Sequence, residues 1–339
     1  MAKERLLEIK DLCVSVKKDG KEVPIVKHVD LAIPRGTIVG LVGESGSGKS
    51  MTAKAVNGIL PPQAEVTGGA VLWYGDDGAA KELTSMKEKE LRRLCGTGVS
   101  MVFQEPMTSL NPLMRVGDQV SEVLLIHKMV KNKSQAKQKV IAMFDEVGIA
   151  EPALRYNAYP HELSGGMRQR VMIAMAVICD PQLLIADEPT TALDVTIEAQ
   201  ILKLIRGMCL SHNMSALVIT HNMDVVAKLC DEVYVMYMGR IVERAGVRQL
   251  FDHPAHPYTR GLLSSIPTIG ANPEYLQTIP GNIPELGKDP VGCDFCLRCS
   301  DDIRQCFFEK PEEYKVAEGH YARCHVLTNK NNAGSYDKK

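Results

Sequence analysis

The sequence predicts an α/β fold built around a parallel sheet. Apolar runs such as Leu183–Ala186 and Ala216–Thr220 are typical of parallel strands that are buried on both faces. Ile197–Leu210, which lies between these two runs, is predicted to be a helix. A glycine-rich loop, Gly43–Ser50, follows a strand-like segment and precedes a helix. The order strand, glycine loop and helix is the third observation that favours this fold class.

Composition and charge limit the classes of protein to be considered. The chain has 339 residues, enough for one large or two modest domains, and its 45% hydrophobic content is enough for a core of normal size. The net charge of −1 gives no overall attraction to nucleic acid. The longest unbroken apolar run, Val171–Cys179, is about half of what a membrane span requires, and the polar N-terminus does not resemble a signal peptide. We therefore expect a soluble, cytosolic protein.

The remaining elements of the main domain are predicted from their local patterns. Residues 6–42 alternate in the manner of β-structure, and residues 117–179 are mostly helical in their apolar spacing. Shorter elements are predicted as strands at Ala70–Tyr74 and Val99–Phe103, helices at Glu88–Leu94 and Asp224–Leu229, and a hairpin of Val233–Tyr237 with Arg240–Glu243.

The character of the sequence changes after about residue 252, where prolines follow one another closely. We expect residues 1–252 to form the main domain, residues 253–327 an irregular extension, and residues 328–339 a disordered tail. Of the ten cysteines, those crowded into the extension are Cys293, Cys296, Cys299, Cys306 and Cys324. In a cytosolic chain such a cluster indicates a metal site before it indicates disulfides.

The glycine-rich loop fits the phosphate-loop pattern G-x-x-x-x-G-K-S/T at every position. Its glycines let backbone N–H groups point at the phosphates of a nucleotide, and the following helix directs its positive end at the same anion. Lys49 adds a positive charge, and Ser50 offers an oxygen ligand for Mg²⁺. The predicted ATP-binding residues are Gly43, Glu44, Ser45, Gly46, Ser47, Gly48, Lys49, Ser50 and Met51.

Two acids follow the apolar run that begins at Leu183. Asp187, at the carboxyl end of a strand beside the phosphate loop, is suited to hold Mg²⁺. Glu188, the next acid, is suited to polarise an attacking water molecule. An apolar run that ends in two acids is a weak signal by itself, because strands often end in charged turns. It gains weight when it is combined with the phosphate loop.

A capped helix start at Leu163–Arg170 carries the most specific motif. Ser164 can cap this helix, and Gly165 and Gly166 leave its N–H groups bare. Ser-Gly-Gly followed by Gln-Arg, shortly before Asp187, resembles the signature motif of ATP-binding cassette (ABC) proteins. The resemblance implies a nucleotide-binding domain with a RecA-like parallel core, an N-terminal antiparallel β-subdomain and a helical subdomain at about residues 105–179. It also implies that the signature acts in trans, on the ATP site of another subunit.

Further motifs of this family match in order along residues 6–266. Gln104 is similar to the glutamine-loop residue that touches Mg²⁺ and the membrane partner, and His221 is similar to the switch histidine that contacts the γ-phosphate. The resemblance therefore implies catalytic roles for Glu188, His221 and Gln104, and Mg²⁺ ligation by Ser50, Gln104 and Asp187. The adenine platform departs from the family pattern, because Val16 stands where an aromatic residue is usual.

Two stretches narrow the resemblance to importers of dipeptides, oligopeptides or nickel: Gln104–Pro112 and His256–Leu263. The cysteine-bearing tail is similar to that of the peptide branch, whose pattern Cys-x5-Cys-x6-Cys-x17-Cys is matched by Cys293, Cys299, Cys306 and Cys324. The resemblance favours a 4Fe–4S cluster on these four residues. Zinc, or a lobe without metal, stays open from the residues alone, and Cys296 is an additional thiol.

The resemblance implies an ATP-hydrolysing motor of a membrane importer, with ATP and Mg²⁺ as substrate and cofactor. The expected partners are a second, homologous ATPase that forms a heterodimer with this chain, two transmembrane permease subunits and an extracytoplasmic peptide-binding protein. The chain is expected to be a peripheral subunit at the cytoplasmic face of the inner membrane. Peptides are the expected cargo, with nickel as the alternative. A soluble ABC ATPase acting on nucleic acid or ribosomes is disfavoured by the net charge of −1 and by the Gln104–Pro112 segment. A redox- or metal-sensing regulator, in which the cysteine lobe gates the ATPase, stays open and is compatible with an importer.

Overall fold

The computed structural model describes residues 4–75, 78–191, 193–266, 279–285 and 287–328. The strands are β1 (Arg5–Lys18), β2 (Lys21–Pro34), β3 (Ile38–Val42), β4 (Ala64–Tyr74), β5 (Ala80–Glu82), β6 (Val99–Val102), β7 (Leu183–Asp187), β8 (Ser215–Thr220), β9 (Glu232–Tyr237), β10 (Arg240–Gly246), β11 (Tyr314–Ala317) and β12 (His320–Ala322). The helices are α1 (Lys49–Asn57), α2 (Glu88–Leu94), α3 (Pro106–Ser109), α4 (Val116–Ile126), α5 (Lys133–Glu146), α6 (Pro152–Arg155), α7 (Gly165–Val177), α8 (Val195–Ser211), α9 (Met223–Leu229), α10 (Val247–Asp252) and α11 (Pro257–Ser264). Short 3-10 helices cover Pro160–Glu162, Cys296–Arg298 and Arg304–Phe307.

The large sheet has the strand order β11-β12-β10-β9-β3-β8-β7-β6. Its centre is parallel: β8 pairs with β3 on one side and with β7 on the other, and β9 and β6 extend this arrangement. All residues of β3, β7 and β8 are buried. This confirms the prediction of buried apolar strands for β7 and β8 and of a strand before the glycine loop for β3. Because parallel strands present their carboxyl ends at one edge, the loops after β3, β7 and β8 lie side by side.

The small sheet is antiparallel, with the order β2-β1-β4-β5. Strand β4 begins at Ala64, six residues before the predicted start at Ala70. Its internal glycines look like a loop in the sequence, but Gly69 has φ +75° and lies so close to β1 that an added Cβ would be 2.2 Å from the Asp11 carbonyl oxygen. The register between β1 and β4 shifts at this point, so the glycines mark a bulge within a strand and do not end it.

The helical region that the sequence predicts between residues 117 and 179 is present. Its long helices are α4, α5 and α7. Val120 and Leu124 of α4, Phe144 of α5 and Ile173 of α7 are fully buried in one apolar core. The apolar spacing predicts helices at Gly117–Met129 and Ser134–Val147; α5 lies within one residue of its predicted bounds, whereas α4 ends at Ile126, three residues early. This region therefore packs as a unit against the edge of the sheet where β6 and β7 lie.

The extension differs from the irregular chain that the sequence predicts, because two short strands of it join the large sheet. Strand β12 pairs antiparallel with β10, with Glu243 opposite Ala322, and β11 pairs with β12. These strands are too short and too polar to be recognised from their alternation. A division at residue 252 stays a prediction, since the sheet continues across it. The predicted disordered tail, apart from Thr328, lies outside the described residues.

Candidate functional site

The phosphate loop lies between the end of β3 and the start of α1, where its backbone is held in shapes that require glycine. Gly46 and Gly48 have φ of +80° and +102°, in the left-handed region that glycine adopts without strain. Gly43 passes so close to β9 that an added Cβ would be 2.1 Å from the Met236 carbonyl oxygen. Ser45 and Gly46 are exposed. The loop is therefore a fixed, open cradle of backbone N–H groups, as an anion site requires.

Lys49 occupies the centre of this cradle and is buried. Its Nζ donates to the carbonyl oxygens of Gly43 at 2.7 Å and Glu44 at 2.9 Å, and to Ser47 Oγ at 3.3 Å. Burial lowers the pKa of Lys49, although the nearby carboxylates of Glu188, Asp187 and Glu44 oppose this shift. The ammonium group is thus positioned by the loop itself, where bound phosphate would add the negative charge that favours its protonated form.

Ser50 and Asp187 meet across the parallel sheet. Ser50 Oγ donates to Asp187 Oδ1 at 3.0 Å, and Asp187 is buried at the end of β7. Burial raises the pKa of Asp187, whereas the hydrogen bond from Ser50 opposes the rise. A hydroxyl and a carboxylate oxygen at this distance are a donor set suited to Mg²⁺, which prefers oxygen ligands. These two residues therefore fit the predicted metal role.

Glu188 is the centre of a hydrogen-bonded group just beyond β7. Its carboxylate accepts from Gln104 Nε2 at 2.9 Å, from Thr191 Oγ1 at 2.9 Å and from His221 Nδ1 at 3.0 Å. Burial alone would raise the pKa of Glu188, but the hydrogen bonds from His221 and Thr191 and the charge of Lys49 hold it below its usual value. The carboxylate is therefore ionised and able to accept a proton at neutral pH.

The structure brings together the catalytic residues that the sequence predicts, namely Gln104, Glu188 and His221, and places them beside the phosphate loop. Thr191 was not predicted as a partner of Glu188; its place three residues after Glu188 is the signal that could have found it. Their assigned roles in hydrolysis stay predictions, since geometry alone does not test them.

The predicted signature lies elsewhere on the molecule. Ser164 caps α7, since its Oγ accepts from the Met167 N–H at 3.3 Å, and Ser164 is exposed. Gly166 packs so close to Ile197 that an added Cβ would be 2.9 Å from its Cγ2. Among the described residues, no hydrogen bond joins Ser164, Gly165 or Gly166 to the phosphate loop.

Val16, at the predicted adenine platform, is half-buried on β1, opposite Val23 of β2 and Ala64 of β4. An aliphatic side chain at this position offers apolar contact to a base but no ring for stacking. That adenine would lie over Val16 stays a prediction.

The extension contacts the phosphate loop, which the sequence did not predict. The Glu44 N–H donates to the Tyr258 hydroxyl at 2.8 Å, and the Glu44 carboxylate pairs with Arg298. Residues separated by more than 200 positions carry no pattern that would reveal such a pairing in one sequence. Tyr258 belongs to a stretch that the sequence analysis singled out, but without a role in the site.

The cysteines of the extension are neighbours in space. Burial, with a smaller contribution from the charge of Cys306, raises the pKa of Cys293 to about 12 and that of Cys299 to about 11. Cys324 is affected in the same way, mainly by burial. In the described part of the chain, however, no group of three or more His, Cys, Asp or Glu side chains is placed to hold a metal ion. The predicted iron–sulfur cluster is therefore not confirmed.

Two family models match the chain. One, described as "ABC transporter", covers residues 26–191, and the other, described as "Oligopeptide/dipeptide transporter, C-terminal region", covers residues 242–306. The chain is 46% identical to the oligopeptide transport ATP-binding protein OppD of Bacillus subtilis, over 95% of this chain and 89% of that protein. It is 47% identical to OppD of Haemophilus influenzae, over 89% of this chain and 91% of that protein. It is 43% identical to the dipeptide transport ATP-binding protein DppD of Bacillus subtilis, over 95% and 94%.

Solved structures show the same fold. The dimeric ATP-binding cassette MJ0796 bound to ADP and Pi matches with a TM-score of 0.63 at 24% identity, over 72% of this chain and 99% of that chain. The cbiO1 protein of Clostridium perfringens, part of the ABC transporter complex cbiONQ, matches with a TM-score of 0.61 at 26% identity, over 74% and 92%. None of the helices in the described residues has the length and apolar content that crossing a membrane demands.

Proposed function

The chain belongs to the ABC transporter ATPases of the oligopeptide/dipeptide family, and from this premise we propose that it is the ATP-hydrolysing subunit of a peptide importer. One observation carries the proposal: the phosphate loop, Asp187 and the group centred on Glu188 meet at one edge of the parallel sheet. The similarity to relatives named for oligopeptide and dipeptide transport extends over nearly the whole chain and includes the C-terminal region.

In the proposed hydrolysis, Glu188 accepts a proton from a water molecule as the water oxygen attacks the γ-phosphorus of ATP. The bond from that phosphorus to the bridging oxygen breaks, and ADP leaves with the electron pair. Lys49 and the loop N–H groups offset the negative charge of the phosphates. Gln104 and His221 orient the Glu188 carboxylate through the hydrogen bonds described above. Mg²⁺, held by Ser50 and Asp187 with Gln104, would supply additional positive charge.

We propose that a second, homologous ATPase completes the site. Ser164, Gly165 and Gly166 would cover the γ-phosphate bound to that partner, in agreement with the exposure of Ser164 at the N-terminus of a 13-residue helix. A Ser164→Arg variant should then bind ATP normally but lose hydrolysis in the assembled complex. Normal hydrolysis by that complex would argue against action in trans.

We propose that the permease subunits dock beside Gln104. An apolar cavity of about 310 Å³ opens there, between the end of α1, β6 and helices α4 and α7, and it is lined by Phe103, Leu110, Met172 and Met175 among others. An apolar groove of this kind suits an amphipathic helix from a membrane partner. Phe103→Glu should abolish co-purification with the permeases, whereas Leu210→Glu, an exposed position on α8, should not.

The same proposal places the chain at the cytoplasmic face of the cell membrane as a peripheral subunit, where cytosolic ATP is available to drive the permeases. An extracytoplasmic binding protein would deliver the peptide. Fractionation of cells that express the permeases should recover this chain with membranes. Recovery with ribosomes or DNA in a preparation free of membranes would favour a soluble ATPase instead.

For the extension we propose a 4Fe–4S cluster bound by Cys293, Cys299, Cys306 and Cys324. The spacing of these thiols, their proximity and their shared, poorly solvated lobe support it. An anaerobic preparation should contain iron and acid-labile sulfide, and Cys306→Ser should lose both, whereas Cys13→Ser, in the N-terminal sheet, should keep them. If the preparation contains zinc and no sulfide, the lobe holds a structural zinc site and not a cluster. If it contains no metal, the proposal is refuted.

Transport of labelled substrate tests the importer function directly. The chain is co-expressed with its permeases, partner ATPase and binding protein, and ATP-dependent entry of di- and oligopeptides and of nickel is measured. Peptide entry that is lost in Lys49→Ala supports the proposal. Nickel entry without peptide entry would change the cargo, and hydrolysis without any uptake would overturn the importer function.

A further inference from the structure

Arg298, an arginine of the extension, reaches the phosphate loop. Arg298 lies at the end of the short 3-10 helix Cys296–Arg298, and its side chain is only 4% exposed. Its two terminal nitrogens donate to the two carboxylate oxygens of Glu44, at 2.7 and 3.0 Å. This two-point geometry between a guanidinium and a carboxylate is the strongest form of such an ion pair, because it fixes both distance and orientation.

The guanidinium of Arg298 is itself held in place by Pro280 and Phe295 of the extension and by Tyr237 of β9. Its Nε donates to the Pro280 carbonyl oxygen at 3.0 Å. The group also lies near the rings of Tyr237 and Phe295, at 5.8 and 6.0 Å from their centres. Because these contacts fix the side chain before it meets Glu44, the ion pair transmits the position of the extension to the loop.

A second contact holds the backbone of the same loop residue. The Glu44 N–H donates to the hydroxyl of Tyr258, which is fully buried, and the Tyr258 ring packs at 4.7 Å from Tyr237 and at 5.4 Å from Phe295. Glu44 is thus bound through its side chain by Arg298 and through its backbone by Tyr258. Both partners come from the sequence after residue 252.

The extension is also linked to the loop indirectly, through Lys27 of β2. Asp289 pairs with the buried Lys27 at 2.7 Å. The Lys27 N–H donates to the Gly239 carbonyl oxygen at 2.8 Å, and the Gly239 N–H donates to the Ser47 carbonyl oxygen at 2.9 Å. A short series of bonds therefore runs from the extension to Ser47, three residues after Glu44.

From these contacts we propose that Arg298 is a positioning residue of the nucleotide site, which acts through Glu44, and that the extension thereby sets the affinity of the phosphate loop for nucleotide. The inference rests on the proposed ATP site. Glu44 contributes a carbonyl oxygen to Lys49 and an acidic side chain beside the place of the phosphates. When it is paired with Arg298, that acidic side chain is neutralised and held in place. Without Arg298, it would repel the phosphates and free the loop to move.

Arg298 lies between Cys296 and Cys299, so the order of the cysteine-bearing turn decides whether Arg298 can pair with Glu44. Any change that disorders this turn removes the guanidinium from Glu44. The cysteine-bearing lobe thus acts on nucleotide binding without contacting the nucleotide.

Equilibrium binding of ATP to the purified full-length chain tests the inference. Arg298→Met is expected to weaken ATP binding about tenfold, by analogy with the loss of other charge-assisted hydrogen bonds. In steady state, the KM for ATP should rise while kcat stays nearly constant, because Arg298 touches none of the reacting atoms. The matched control is Arg304→Met, an exposed arginine of the same lobe, which should bind ATP as the wild type does.

A double variant distinguishes positioning from a merely structural role. In Arg298→Met combined with Glu44→Gln, the unpaired carboxylate is gone, so we expect ATP affinity to recover most of the tenfold loss. Losses that simply add would overturn the inference, as would an unchanged affinity in Arg298→Met. If Arg298→Met fails to fold, Arg298→Lys keeps the charge but loses the two-point geometry, and an affinity equal to that of the wild type would again overturn it.

The controls separate this inference from the proposed function. If the wild-type chain binds no ATP, or if Lys49→Ala binds ATP normally, the proposed nucleotide site itself is refuted. If Lys49→Ala weakens ATP binding but Arg298→Met does not, only the inference about Arg298 is refuted and the nucleotide site stands.

Discussion

Ser50 and Asp187 are joined by a hydrogen bond of 3.0 Å, although 137 positions separate them in the chain. Ser50 is the second residue of α1, which follows strand β3, and Asp187 ends β7. The strand between them, β8, places His221 at the same edge. The contact shows that the parallel sheet gathers the predicted phosphate, metal and water-activating residues into one site.

Glu188→Gln should abolish ATP turnover and leave ATP binding intact. The amide keeps the size of the side chain but cannot take a proton from water, and loss of a general base costs about 10²- to 10⁴-fold in rate. Single-turnover hydrolysis and equilibrium binding measure the two effects, with Glu90→Gln on the exposed face of α2 as the control. Steady-state hydrolysis at the wild-type rate would refute the role of Glu188.

The acid limb of the same reaction should lie at low pH. Hydrogen bonds from His221 and Thr191 hold the pKa of Glu188 below 4.5 in spite of burial, so the carboxylate stays ionised until the pH falls through that lowered value. A pH–rate profile of the wild type checks this. An acid limb near pH 6 would show that another group limits the reaction or that Glu188 is protonated more readily than its contacts indicate.

Val16→Tyr should tighten ATP binding. Stacking between a base and an aromatic ring contributes about 1–3 kcal/mol, which corresponds to a gain in affinity of about 5- to 150-fold. Lys17→Tyr is the matched control, because successive residues of a strand point to opposite faces. Equal affinities of Val16→Tyr and the wild type would mean that adenine does not lie over this position.

His212→Gln should lower stability in a pH-dependent manner. Burial favours the neutral ring, but hydrogen bonds to Glu146 at 2.9 Å and Asp180 at 2.7 Å raise the pKa of His212 above 6.5. The stabilisation is therefore complete below the unfolded pKa and is lost as the pH rises through the higher folded pKa. We expect the variant to lose about 1 kcal/mol at pH 6 and less at pH 9, measured by urea unfolding. A loss that grows with pH would contradict this assignment.

Glu243→Ala should destabilise the junction between the main domain and the extension. The buried Glu243 carboxylate accepts from the N–H groups of Ala255 and His256 at 2.8 Å and pairs with His320 at 2.7 Å. Removing one partner of a buried pair costs about 3–5 kcal/mol, because the remaining groups stay unpaired. Thermal unfolding measures the loss. Glu243→Gln keeps an acceptor oxygen and should therefore lower the stability less than Glu243→Ala does. Equal losses of stability in the two variants would show that the hydrogen bonds to Glu243 contribute little.

The phosphate loop and the strand ends could be predicted from the sequence because each depends on the types of a few neighbouring residues in the chain. Gly46 and Gly48 are needed for the loop backbone wherever the loop lies, and the apolar run before Asp187 identifies a buried strand without reference to its neighbours. The strands β11 and β12 could not be predicted in this way, since they gain their stability from pairing with β10 and have little pattern of their own.

The sequence by itself determined the class of fold, the nucleotide chemistry and the residues at the centre of the site, because each depends on residue types at short, fixed spacing. The tertiary structure decided which of these side chains meet and what else joins them: Thr191 at Glu188, and Arg298 and Tyr258 at Glu44. Contacts between residues so distant in the chain arise from the packing of the extension on the sheet, and packing depends on the whole chain at once.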